Sequence, residues 1–340
     1  MAEYNSSEWN LTSVNHSTQP ESPINCFYIV YRRSAVEDFY STYVASIVLN
    51  SICALPASVL NILVMIAVWR KPQLHTPSNV LLSNLALTDF GVGCFVQPIF
   101  VAHKIGELHG NLRLHCIASL VSKTLASVLG VVSLTTLTAI SIDRLLSIVL
   151  SVRYRTVVTI RQTVRTVGVL WIISIIATIP LFIYPISFLY CMILLLGLCL
   201  TVTTLAYAKL LRLIQRHRSR VETDVQVAQH NQQHTQATQN AQATQQNQQP
   251  AELTTIAKYR SSTRTVTWLV LLMMIFYSPY LILNIVLAVA RTSDDRFKAV
   301  FNIAHTVLFM NSLVNPAFYC WTIRSIRKAI LGWLSDLLPE

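Results

Sequence analysis

Charge is what this chain has least of. Asp, Glu, Lys and Arg make up 12% of its residues, about half of what a soluble domain carries. Acid is the scarcer sign, with 15 Asp and Glu against 26 Lys and Arg. A chain so poor in charge and 53% hydrophobic, with a mean hydropathy of +0.49, cannot cover itself with a water-compatible surface, so a soluble enzyme is excluded. Internal repeats are absent, which argues against an inverted-repeat transporter. No apolar run opens the chain, so no cleavable leader is expected and the first span should direct translocation. A seven-span intramembrane zinc hydrolase is disfavoured too. Of nine His, only His305 falls well inside an apolar run, whereas a zinc hydrolase needs about three converging ligands.

What the chain has in abundance is long apolar runs. Spanning the hydrocarbon takes roughly 20 mainly apolar residues per helix. Seven segments qualify, at about 43–69, 78–103, 114–147, 165–184, 186–213, 264–290 and 297–321. Lys and Arg gather at alternate ends of these runs, from Arg70-Lys71 through Arg153, Arg155, Arg161 and Arg165 to Arg324, Arg327 and Lys328. That asymmetry places the amino terminus outside and the carboxyl terminus inside. The net charge of +11 therefore reports topology and attraction to anionic lipid, not nucleic acid.

The expected organisation is an all-α membrane protein. Residues 1–42 form a polar outer tail with three sequons, at Asn5, Asn10 and Asn15, read as glycosylation sites. Residues 43–321 form a seven-helix bundle. Its long inner loop is Gln- and Asn-rich and expected to be disordered over about 221–252. In 322–340, Ile323, Ile326, Ile330, Trp333 and Leu337 recur at helical spacing opposite Arg324, Arg327 and Lys328, predicting an amphipathic helix on the inner leaflet.

Ionisable groups inside such runs are costly and point to function. Asp89 sits at mid-span in the second run. It needs either a cation or a proton with bonds to neighbouring helices. Asp143 and Arg144 end the third run, in LTTLTAISIDRLLSIVLSVRYR. Lys123 stands 21 residues before Arg144 (144 − 123), about 31 Å higher at 1.5 Å per residue, either an anion contact or a snorkelling side chain. Asn284 and His305 lie at similar height, and His305 is either a pocket wall or a packing residue.

The set Asn61, Asp89, Asp143-Arg144, Trp171, Tyr207, Pro279 and Asn315-Pro316-x-x-Tyr319 resembles, in that order, the rhodopsin-like (class A) G-protein-coupled receptors. The short segment around Tyr184 and the absent helix-five proline (Cys199) look most like the melanocortin branch, which groups loosely with adenosine and lipid receptors. The resemblance implies a receptor, not an enzyme, that binds an extracellular ligand and activates a heterotrimeric G protein at the plasma membrane. Asp143, Arg144, Tyr207, Tyr277, Pro279, Pro316 and Tyr319 would carry activation. It also implies an allosteric sodium ion, with no other cofactor, held by Asp89, Ser133, Asn311, Ser312 and Asn315. A ligand pocket near Lys123, Asn284 and His305 would complete the set.

Departures are informative. Leu145 follows Arg144 where Tyr is usual, and Tyr277 replaces a Trp. Tyr259 replaces the inner acid of helix six, so no ion pair from Arg144 to that helix is expected and basal activity should be noticeable. Phe309 stands where opsins have their Schiff-base Lys, which disfavours a light sensor. Ala126 stands where amine receptors have Asp, which disfavours an amine. A peptide, a lipid acid and a purine stay open. Cys116 is 28 residues before Arg144 (144 − 116), further out than the family's helix-three Cys, and the second outer segment has no Cys. A Cys26–Cys116 disulfide is expected instead, with an unpaired Cys116 as the alternative.

Overall fold

The structure, a computed structural model, describes residues 24–26, 29–31, 33–150, 153–234, 249–290 and 294–337. Among them, seven helices are long and apolar enough to cross a membrane. A β-hairpin of β1 (Ile24–Cys26) and β2 (Ile29–Tyr31) leads into the short helix α1 (Arg33–Asp38) and the first span, α2 (Tyr40–Arg70). The second span joins α3 (Pro77–Gly91) to α4 (Gln97–Leu108), and α5 (Leu112–Val149) is the third. One-turn α6 (Tyr154–Val157) precedes α7 (Ile160–Thr178), which with α8 (Pro180–Ile183) makes the fourth. The fifth span opens α9 (Pro185–His234), the sixth closes α10 (Gln249–Ala290), and the seventh is α11 (Asp295–Thr322). Helix α12 (Arg324–Leu337) follows.

The bundle is apolar outside and polar within, as lipid demands. Ile172, Ile176, Leu194 and Leu198 are exposed, whereas Asn61, Asn84, Asp89, Ser133, Asn311 and Asn315 are buried. Those buried amides replace missing backbone bonds and cross-brace the helices. Pro316 has no N–H, so the Ser312 carbonyl loses its helical donor. Asn61 Nδ2 donates to that carbonyl at 2.9 Å and so joins the first span to the seventh. Asn84 donates to Thr136 Oγ1 at 2.8 Å and accepts from Trp171 Nε1 at 3.0 Å, tying spans two, three and four. Helix α12 is amphipathic as expected, but Ile326, Ala329 and Ile330 are buried against the bundle's inner end while Arg324, Arg327 and Lys328 are exposed.

Four features depart from the sequence reading. The outer tail is not wholly irregular, since it contains the hairpin and α1. Its sequons at Asn5, Asn10 and Asn15 lie outside the described residues. The inner loop is not disordered from residue 221, because α9 continues to His234 and α10 begins at Gln249. Extending an existing helix needs no new nucleus, and Gln, Arg and Ala are good helix formers. Residues 235–248 lie outside the described set.

The second span carries a π-helical turn, Val92–Val96. Pro98 just beyond it cannot donate to the preceding turn and its ring would crowd that turn, which a π turn relieves. Lastly, this span runs to Leu108 and not just to about 103, which brings a second buried acid, Glu107, into it.

Candidate functional site

At the inner face, α5 ends on Asp143 and Arg144. The Asp143 carboxylate is anchored by two hydroxyls. Ser78 Oγ, from the first turn of α3, donates to Oδ2 at 2.6 Å, and Tyr154 OH donates to Oδ1 at 2.6 Å. Tyr154 reaches it because residues 154–157 coil into α6 instead of trailing as a basic loop. Burial, then the bond to Asp143 and its charge, push the Tyr154 phenol up to about 12. It stays a donor at physiological pH. Its contribution is complete below the free phenol's pKa of about 10 and is lost as pH rises through about 12.

Arg144 Nε lies 3.9 Å from Asp143 Oδ2, too far for a hydrogen bond, and its side chain is the more exposed of the two, 29% against 5%. Tyr207 donates to Thr267 Oγ1 at 2.8 Å, bridging spans five and six. Tyr319 is fully buried with its hydroxyl unbonded.

In mid-bundle, Asn315 Nδ2 donates to Asp89 Oδ2 at 2.8 Å. The carbonyl oxygens of Asn311 and Asn315 are buried with no hydrogen-bond partner. Ser133 Oγ accepts from Tyr277 OH at 3.3 Å, so Tyr277 bridges the sixth span, where Pro279 also lies, to the third. A buried carboxylate bonded to Asn315, together with buried amide oxygens left without donors, is the kind of donor set a hard cation takes. Asp89, Asn311 and Asn315, with the hydroxyls of Ser133 and Ser312, are the residues that would hold sodium.

Toward the outer side, His305 Nδ1 donates to Phe301 O at 2.8 Å, and the ring is boxed by Phe100, Tyr280, Phe301 and Phe309, with ring centroids 5.1 to 6.2 Å away. Asn284 donates to Tyr280 O at 2.7 Å. Ala126, where an amine receptor has Asp, packs against an apolar group of Val92, Val96, Phe100 and Phe309. Lys123 is partly buried one turn above Ala126 on α5. Tyr280 thus touches both, His305 through its ring and Asn284 through its backbone carbonyl.

Cys116 is disulfide-bonded, whereas Cys191 and the four others described are free thiols. The alternative of an unpaired Cys116 is therefore overturned. The Cys26 side chain lies outside the described residues, but its hairpin rests on this end of α5, with Tyr31 edge-on to His115 at 5.7 Å.

Sequence reasoning missed Ser78, Tyr154, and a buried outer group of His103, Glu107 and His115. The i, i+4 spacing of His103 and Glu107 was the available signal.

Comparison with known proteins agrees with this geometry. The sequence model of the 7 transmembrane receptor (rhodopsin family) matches residues 60–187 and 184–319. The chain belongs to that family of receptors, and it is a multi-pass membrane protein. It is 32% identical over 133 residues to adenosine receptor A3 of Bos taurus, covering 39% of each chain. It is also 32% identical over 117 residues to adenosine receptor A2b of Mus musculus, covering 34% of this chain and 33% of the other. The corresponding human A2b receptor is 31% identical over 117 residues, with the same shares. These matches span about two-fifths or less of the relatives' length.

Proposed function

We propose that this receptor couples an extracellular ligand to a heterotrimeric G protein from the plasma membrane, with its amino terminus outside. The observation that carries this reading is the inner cluster. Asp143 is held by Ser78 and Tyr154, and beside it the more exposed Arg144 offers a fixed fork of donors at the cytoplasmic mouth. Two-state switching requires a ligand with differential affinity for the two states. Tyr207–Thr267 and Tyr277–Ser133 are contacts whose exchange would distinguish them.

The ligand we infer is a purine nucleoside. The three relatives described above are named adenosine receptors, and an aromatic box headed by His305 with Asn284 above Tyr280 suits a flat heteroaromatic better than an ammonium. Purified receptor with G protein should exchange nucleotide faster when adenosine or a close nucleoside is added. Asn284→Ala should weaken the response about fivefold to a hundredfold, as a lost buried hydrogen bond costs about 1–3 kcal/mol. Acceleration by a peptide or lipid acid but by no nucleoside would replace the ligand class and leave coupling intact. Exchange never exceeding that of G protein alone would end the coupling proposal.

For the disulfide, Cys26 is the proposed partner of Cys116. The outer face is oxidising, and the hairpin already lies over the third span. Non-reducing peptide mapping should yield a cross-linked Cys26–Cys116 peptide. Free Cys26, or Cys116 linked elsewhere, would refute it.

A further inference from the structure

Beneath the hairpin, the outer ends of α4 and α5 bring two histidines and a carboxylate together. His103 and Glu107 share one face of α4, one turn apart, and His115 comes from the first turn of α5. Glycine makes the meeting possible. Gly110 turns the connection with a φ of +66°, and a Cβ on Gly106 would meet the His115 backbone nitrogen at 2.8 Å. Glu107 Oε2 lies 3.6 Å from His103 Nε2 and 4.0 Å from His115 Nδ1. The imidazole centroids are 4.8 Å apart. One ligand atom from each residue falls within 4.8 Å of the other two.

The unusual feature is what these rings lack. His103 and His115 are 6% and 1% exposed, and none of their four ring nitrogens has a hydrogen-bond partner. Buried polar atoms are rarely left so. A packing histidine normally spends at least one nitrogen on a neighbour, as His305 does. Here both rings stand beside a carboxylate without bonding to it.

We propose that His103, Glu107 and His115 form an extracellular zinc site that clamps the second span to the third. Two imidazoles and a carboxylate are a zinc donor set with one position left open. Bonds of about 2.0–2.2 Å in tetrahedral array put ligand atoms about 3.4 Å apart, so ligand atoms now within 4.8 Å of one another need to close in by at most about 1.4 Å on the same geometry. Tyr43 OH donates to Glu107 Oε1 at 3.0 Å, which orients the carboxylate and leaves Oε2 for the metal, as outer hydrogen bonds commonly do for metal ligands.

The competitor is Lys104, whose Nζ sits 2.8 Å from Oε2. It has somewhere to go: its ammonium already lies 5.0 Å from the Tyr43 ring centroid and 5.5 Å from that of Phe100, faces that hold a cation. Metal and ammonium therefore exchange places at one carboxylate oxygen.

The test needs no knowledge of the receptor's ligand. Full-length purified receptor, stripped with chelator, is titrated with zinc, and with cobalt as a coloured substitute. One equivalent should bind, with the visible absorption of four-coordinate cobalt and a raised Tm. His103→Ala and His115→Ala should each weaken binding at least about tenfold, while His109→Ala, on the exposed turn, leaves it unchanged. Lys104→Met should bind zinc more tightly than the parent, a gain that a damaged fold cannot imitate. No saturable zinc binding by the parent at millimolar metal, affinity unaltered in the His103→Ala/His115→Ala double variant, or zinc binding by Lys104→Met no tighter than the parent's would each overturn the site.

Discussion

Replacing Arg144 with Ala is expected to abolish most nucleotide exchange while leaving surface expression, Tm and ligand binding as they were. The two halves of that expectation have separate physical grounds. Asp143, not Arg144, carries the local structure, since Ser78 and Tyr154 both bond to it at 2.6 Å. The Arg144 side chain is 29% exposed against 5% for Asp143, so truncating it disturbs far less buried packing than truncating its neighbour would. The contacts that matter for coupling are those the guanidinium makes once the G protein is bound. A charged hydrogen bond contributes about 1.5–3 kcal/mol, so the loss should be on the order of ten- to a hundredfold. Arg144→Lys should recover only part of it, because the ammonium keeps the charge and not the fork. Full coupling by a well-expressed Arg144→Ala receptor would remove this residue from the mechanism.

The second large effect concerns sodium. Purified receptor in sodium chloride should melt a few degrees above the same receptor in N-methylglucamine chloride, and Asp89→Asn should erase the difference. At ten times its Kd, a single-site ion adds about 1.4 kcal/mol. Asn at this position keeps size and hydrogen-bonding capacity but removes the carboxylate that Asn315 Nδ2 meets at 2.8 Å. Sodium should also lower basal exchange in the parent and not in the variant. Parent and variant responding alike would mean that Asp89 works as a protonated hydrogen-bonding group among the helices.

Much of this was readable in the sequence because the bundle's braces are local in pattern. Asn61, Asn84, Trp171 and Asn315 each sit at a depth that helical rise assigns, and a mid-span amide in lipid must find a partner. The azimuth was harder. A straight helix turns by about 100° per residue, so one extra residue in the Val92–Val96 π turn rotates everything beyond it by that amount. His103 and Glu107 therefore face α5 on a side that a continuous helical wheel drawn from Asp89 does not indicate. The Ser78–Asp143–Tyr154 group was hidden for a different reason. It joins a helix start, a helix end and a one-turn loop helix, and no periodicity links those three. The extension of α9 to His234 reflects a third limit, since composition describes an isolated segment and not one grown from a helix already formed.

The connection between spans four and five is a single residue, Tyr184, between Ile183 and Pro185. Consecutive Cα atoms are about 3.8 Å apart, so the outer end of the fifth span is leashed to the fourth and cannot drift from it. Its freedom is that of a lever pinned at the top. The 32 residues from Pro185 to Arg216 make an arm of about 48 Å at 1.5 Å per residue. A tilt of about five degrees at the pinned end carries the far end through about 4 Å, by the same rise. Tyr207, low on that arm, would travel most of that distance relative to Arg144, while the outer rim of the bundle scarcely changed shape.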